Sequence, residues 1–355
     1  MMNRVTIKDI ARLAGVSIGT VDRVVHKRGR VSEETRLKVL SIIRETGYQT
    51  DMFASRLKKG SRIRYGVLMP RPEQDSGYWK LCMDGLVSCE KDLHPQGVDI
   101  EYFLFDRFSE GDIALTLQKA EEAACAGYVL APVVPGPFRD TLARQALGRN
   151  IVLFDTDVPD RRVVQDLDIY SFIGPDNYMA GSLAGRLMSL LVSPEKPVYV
   201  VDLSEGEHHI SRRVEGFFEY YRKKNLPEPR RIVGKDTDSL KEAEALLKES
   251  IRGAGRGLGL FVPNATTHLY VSACRNLHFK DVEAVGFDPV DENLRLLKEG
   301  EIAFLLSQRP DYQASQALSN LHRAYGAKQD IPDQVILPVD ILSPENCLSS
   351  GEESF

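Results

Sequence analysis

From Arg62 onward, short apolar runs alternate with longer amphipathic stretches, and this alternation constrains the fold more than any other feature of the chain. RYGVLM precedes Tyr78–Leu93, VDIEYFLF precedes Asp112–Ala126, and GYVLAPV precedes Phe138–Leu147. After NIVLFD and SFIG comes Met179–Leu191; PVYVVDL, RRIV and LGLFV are followed by Ser211–Lys224, Ser239–Ile251 and Ala265–Leu277, and VEAVGFD comes last. Apolar runs without polar alternation read as strands buried on both faces, and parallel neighbours need a long crossover between them, usually a helix. The pattern therefore predicts α/β architecture, with parallel sheets covered by helices on both faces. At about 100–200 residues per domain, the stretch divides into two doubly wound lobes with a cleft between them. Ligands of such sheets bind beyond the carboxyl ends of the strands, so the residues just after each strand are the site candidates.

The first part of the chain has a different period. In Val5–Tyr48, Ile7, Ile10, Ala11 and Ala14 recur at helical spacing. Gly15-Val16-Ser17 then breaks the helix with a residue free to take positive φ, a turn hydrophobe and an N-cap hydroxyl. This is a helix-turn-helix corner. A second short helix turns Val21, Val24 and Val25 inward and leaves Ile18, Gly19, Asp22, Arg23 and His26 on or near the outer face. That shape fits a major groove of ~12 Å width. A third helix opens at Ser32, whose hydroxyl can cap it, with Glu33 and Glu34 where the helix dipole favours anions. Leu37, Leu40 and Ile43 are expected to close this small all-α core.

Charge is divided in the same place. Met1 to Arg62 carries 14 Lys or Arg against 6 Asp or Glu, a net of +8, whereas the remainder carries 32 against 45, a net of −13. The whole-chain value of −5 hides a basic, nucleic-acid-like head on an acidic body.

TIKDIARLAGVS, TVDRVVH, VSEETRLKVL, ETGY and the following ASRL closely resemble the LacI/GalR family of bacterial transcription regulators. The resemblance implies a helix-turn-helix DNA-binding headpiece at residues 1–49 and a hinge helix or linker at 50–62. It further implies an effector domain like the type I periplasmic binding proteins, one lobe formed by 63–173 with 308–337 and the other by 174–307 with 338–355. The family's base-reading positions fall on Ile18 and Gly19, and its arginine on Arg23. Arg23 can pair with guanine O6 and N7, Ile18 offers only apolar contact, and Gly19 has no side chain to read with. Thr6, Ser17, Thr20, Ser32 and Thr35 match hydroxyls that hold the DNA backbone, and each is also a plausible cap. Asp22 stands where the family usually has Ser, so it either accepts from a cytosine N4 or pairs with Arg23 or Arg12; His26 replaces the usual Asn. Ala54 and Leu57 match the hinge helix, with Leu57 as a minor-groove wedge and Arg56, Lys58 and Lys59 neutralising phosphate. Thr50 and Asp51 replace the Pro and Asn that usually precede it.

The post-strand residues resemble the sugar cleft of ribose-type binding proteins and of LacI/GalR effector domains. Tyr78 and Trp79 match the aromatic pair that stacks on a sugar ring. Asp155, Arg213, Asn264, Asp288 and Gln308 match the groups that chelate vicinal hydroxyls. Arg212 is an alternative or an aid to Arg213, and Thr156 stands where ribose-type proteins carry arginine. Asp176, in IGPDNYMAG, reads as structural.

Other features imply less. Five cysteines, Cys82, Cys89, Cys125, Cys274 and Cys347, include no C-x-x-C and specify neither a zinc site nor a disulfide framework. His208-His209 reads as a solvated post-strand pair, with no metal expected, and Gly253–Gly259 as a turn with no phosphate loop or other cofactor. MMNRVTIKD carries no apolar leader and no segment approaches ~20 apolar residues, so a cytoplasmic protein with no membrane partner is expected. The tail CLSSGEESF lacks heptads, which leaves a homodimer as the expected state, reading a pseudo-palindromic operator in double-stranded DNA. The function expected is a DNA-binding regulator, a repressor, switched by a small effector, a sugar or polyol. The alternatives are a doubly wound α/β enzyme with an accessory headpiece and a DNA-binding protein whose cleft is ligand-silent.

Overall fold

The computed structural model describes residues 7–25, 29, 31–46, 62–158, 161–203, 207–235, 237–251 and 257–347. Thr6, His26, the hinge with Ala54 and Leu57, most of the Gly253–Gly259 turn and the tail after Cys347 lie outside them. The chain divides into two compact units, Met1–Arg62 and Ile63–Phe355.

Among the described residues the first unit holds three helices, α1 (Ile7–Ala14), α2 (Ile18–Val25) and α3 (Glu33–Thr46). Gly15, at φ 66°, makes the turn. Ser17 Oγ accepts from the Thr20 amide at 3.1 Å, so the cap predicted for α2 is formed. Ser32 Oγ accepts in the same way from Thr35 N at 3.3 Å. Ile10, Ala11, Ala14, Val21, Val24 and Val39 form the core, with Ile42 and Ile43 packed against it. Leu37 and Leu40 do not close it as expected: they are 60% and 38% exposed. The inward face of α3 runs through Val39, Ile42, Ile43 and Thr46, the i, i+3, i+4, i+7 set, and Leu37 and Leu40 fall to its flanks.

Among the described residues the second unit contains two six-stranded sheets. Its strands are β1 (Ile63–Pro70), β2 (Val98–Phe105), β3 (Tyr128–Leu130), β4 (Asn150–Phe154), β5 (Ile169–Pro175), β6 (Val198–Asp202), β7 (Arg230–Val233), β8 (Leu258–Phe261), β9 (Val282–Phe287), β10 (Phe304–Ser307), β11 (Gln334–Leu337) and β12 (Asp340–Leu342). The sheets run β11-β5-β4-β3-β1-β2 and β12-β10-β9-β8-β6-β7. Every pairing is parallel except β10 with β12. The two orders match strand for strand, so the second lobe repeats the winding of the first. The chain passes between lobes after β5, after β10 and after β11.

The described helices of this unit are α4 (Tyr78–Leu93), α5 (Glu110–Ala123), α6 (Pro135–Ala143), α7 (Asn177–Leu191), α8 (His208–Lys223), α9 (Leu240–Ser250), α10 (Thr267–Asn276), α11 (Asp291–Lys298) and α12 (Pro310–Leu321). Asp176 caps α7, accepting from Met179 N at 2.9 Å, which bears out its structural reading. Helices α7 and α8 touch backbone to backbone: a Cβ on Gly181 would lie 1.8 Å from the Arg213 carbonyl oxygen, and one on Gly216 2.0 Å from that of Tyr178. Each lobe is filled by apolar strand residues, such as Val67, Leu68, Ile151 and Leu153 in the first and Val200, Phe261, Val285 and Leu306 in the second. Among the described residues no helix is long and apolar enough to cross a membrane.

Candidate functional site

The carboxyl ends of both sheets face one cleft, lined by Asp75, Tyr78, Trp79, Arg107, Val133, Asp155, Glu207, His209, Ile210, Arg213, Asn264, Ala265, Thr266, Asp288 and Gln308. All seven predicted ligand residues are therefore brought together. The cavity is small, about 30 Å³, and Arg107 bonds Glu207 from the opposite lobe, so the lobes stand close together.

Asp155 and Asp288 occupy equivalent places. Each follows the fourth strand of its sheet, each has φ 64°, and each donates its amide to the neighbouring strand, Asp155 to Ile173 O and Asp288 to Leu306 O. The left-handed backbone favours Asp and Asn over other side-chain-bearing residues, so the local turn itself selects an acid or amide here. Both side chains are 2% exposed. Asp155 accepts from the Tyr78 hydroxyl at 2.6 Å and the Thr156 hydroxyl at 3.0 Å. Burial raises its carboxyl pKa, opposed by the Tyr78 hydrogen bond and by Arg213. Asp288 accepts from Gln308 Nε2 at 3.3 Å, and burial pushes its carboxyl up to about 7, with Arg213 opposing and Asp155 adding to the rise.

Arg213 projects from α8 with 1% exposure. Its Nε donates to Asn177 Oδ1 (2.8 Å), Nη1 to Pro263 O (2.9 Å) and Nη2 to Gln308 Oε1 (2.9 Å), and the guanidinium lies 4.3 Å over the Phe287 ring. Arg212 instead faces outward to Glu215 and Tyr178, so Arg213 is the cleft arginine. Tyr78 and Trp79 are 5% and 2% exposed, their rings edge to face at 5.0 Å. Trp79 donates its indole N–H to Asp75 at 2.5 Å. Asn264 accepts at Oδ1 from both Thr266 N and Thr266 Oγ1, so its carbonyl serves as a local cap while the residue lines the cleft.

Eight lining residues were not predicted, and four of them are titratable: Asp75, Arg107, Glu207 and His209. Arg107, after β2, bonds Asp75 at 2.5 Å and reaches across to Glu207 in the other lobe. His209 was expected to be solvated; it lies in the first turn of α8 with its side chain 12% exposed, 3.4 Å from Thr156 Oγ1. Burial, then Arg213 and Arg107, hold its pKa well below the usual value, so the ring is neutral. Among the described residues no group of three acids, histidines or cysteines is placed to hold a metal.

In the headpiece, Ile18, Gly19, Asp22 and Arg23 are exposed on α2, and the Arg23 side chain runs beside Gly29. Thr20 and Thr35 are half-buried, with their hydroxyls bonded to those of Ser17 and Ser32.

A family model for the periplasmic binding protein domain matches residues 66–329, and one for bacterial regulatory proteins of the lacI family matches residues 6–51. The chain belongs to the periplasmic binding protein domain family, with a lacI-family headpiece before it. It is 46% identical over 65 residues to the HTH-type transcriptional regulator RegA of Clostridium saccharobutylicum, covering 18% of this chain and 20% of that one. It is 31% identical over 175 residues to the sucrose operon repressor of Escherichia coli, 49% of each chain. The matches thus span about half or less of these relatives' length. A solved structure of a putative LacI transcriptional regulator from Bacteroides fragilis shares the fold, with TM-score 0.68 and 19% identity over 81% of this chain and 98% of that one.

Proposed function

We propose that this lacI-family protein is a sequence-specific, DNA-binding transcription regulator, a repressor, whose operator affinity is switched by a small ligand held between its lobes. The observation that carries the reading is the convergence of Asp155, Asp288 and Arg213, all buried, from both lobes onto one cleft. Hydroxyls of a sugar or polyol offer both donors and acceptors to such a set, and Tyr78 and Trp79 offer an apolar wall. The sucrose operon repressor among its relatives is named for sugar control, which supports the same ligand class.

The headpiece spans residues 1–49 and the hinge 50–62; 63–173 with 308–337 and 174–307 with 338–355 make up the lobes. Ile18, Gly19, Asp22, Arg23 and His26 form the reading face, Thr6, Ser17, Thr20, Ser32 and Thr35 meet phosphates, and Ala54 and Leu57 belong to the hinge helix, with Leu57 as the minor-groove wedge. The protein works as a cytoplasmic homodimer on a pseudo-palindrome. Closure of the lobes shifts the dimer and with it the spacing of the two hinges. A coupling of about 1–3 kcal/mol changes operator affinity ~5–150-fold. Genomic footprinting, repeated with each compound of a sugar panel, tests the reading. Sites that occur as inverted repeats and shift occupancy with one compound are expected; occupancy unchanged by every compound refutes the switch.

A further inference from the structure

The cleft is electrically unbalanced. Among the described residues that line it, Asp75, Asp155, Glu207 and Asp288 face only Arg107 and Arg213, because His209 is neutral. Arg107 is shared between Asp75 and Glu207. Arg213 directs its hydrogen bonds to an amide, a main-chain carbonyl and a second amide, and donates to neither Asp155 nor Asp288. Asp155 has two hydroxyl donors. Asp288, which lines the cleft, has one long amide bond at Oδ2, while its Oδ1 is buried and has no hydrogen-bond partner among the described residues.

We propose that the ligand of this cleft carries an ammonium group beside its hydroxyls, an amino sugar or aminated polyol, with Asp288 receiving the ammonium and Asp155 providing the second negative charge. This rests on the reading of the cleft as a sugar or polyol site and narrows it. A buried carboxylate without a counter-charge is costly, and removing that cost requires an opposite charge with hydrogen-bond geometry. A hydroxyl on Oδ1 satisfies the lone pair but leaves the charge. An ammonium does both, and charge-assisted bonds are about twice as strong as neutral ones. Burial raises the Asp288 carboxyl pKa, Asp155 adds to the rise, and Arg213 offsets it only in part.

The test uses the full-length protein at pH 7 and matched probes: D-glucosamine and D-glucose, D-galactosamine and D-galactose, D-mannosamine and D-mannose, and 1-amino-1-deoxy-D-sorbitol and D-sorbitol. Affinities are read by titration calorimetry. The expected result is that the amine of at least one pair binds about ten-fold or more tightly than its parent. Asp288→Asn, nearly isosteric and tolerant of the same backbone, should bring that pair to similar affinities, and Asp155→Asn should reduce the preference in the same direction. Neutral parents binding as well as or better than their amines in every pair that binds overturn the inference and leave the sugar reading standing. An amine preference that survives both substitutions overturns the assignment to these carboxylates. Binding of none of the eight probes counts against the sugar reading and the inference together.

Discussion

Asp288→Asn should change the pH dependence of stability. The carboxyl titrates near 3.8 in an unfolded chain and near 7 in the fold. A folded pKa raised above the unfolded one means that the folded state holds the proton more tightly. The stability this confers is full below about pH 4 and is lost as pH rises toward 7. The shift corresponds to about 4 kcal/mol in total, of which roughly 2–3 kcal/mol falls between pH 5 and pH 8. Asn has no proton to lose and tolerates φ 64°, whereas Ala would add backbone strain to the comparison. Urea unfolding of wild type and variant, followed by circular dichroism at half-unit intervals from pH 5 to pH 8, reads the difference directly. The variant should gain on the wild type steadily up to pH 7 and hold a constant lead above it. Parallel midpoints across the range would refute the buried, cation-deficient carboxyl.

Arg23→Ala should relax selection at one base pair in each half-site by about 1–3 kcal/mol; operators recovered by selection with unchanged preference there would refute base reading by Arg23. Gly181→Ala places a Cβ against the Arg213 carbonyl and should cost about 1–3 kcal/mol while weakening ligand binding, whereas Gly111→Ala, whose Cβ meets nothing within 4 Å, should do neither. Equal melting temperatures for the two variants would refute the close helix crossing. Glu207→Gln removes the charge that Arg107 reaches across the cleft and should lower ligand affinity about five- to ten-fold by depopulating the closed lobes. Unchanged affinity by calorimetry would show that this bridge does not hold the lobes together.

Much of the fold was legible because the central strands are apolar runs: the residues named as strand ends, Asp155 and Asp288, sit where the alternation places them. Arg213 needed the resemblance, since nothing in a helical stretch separates it from Arg212; the phase of α8 against the α7 glycines decides between them. The inward face of α3 was misread because three leucine and isoleucine positions are compatible with more than one helical phase. The core takes Val39, which the hydrophobicity of Leu37 and Leu40 obscured. Asp75, Arg107, Glu207 and His209 lie in loops or helix starts without periodicity, and the first two come from one lobe and the last two from the other. A signal was present even so: Arg107 closely follows β2, and Glu207 and His209 follow β6, the same post-strand rule that found Asp155.

The position of Trp79 has a practical consequence. It is the single tryptophan of the chain, and its indole N–H is bonded to Asp75, which Arg107 links to Glu207 on the opposite lobe. Separation of the lobes would alter the charges beside the indole and admit water to it. The protein thus carries its own optical gauge of closure: emission from an unlabelled sample can follow the cleft in real time while DNA occupancy is measured in the same tube.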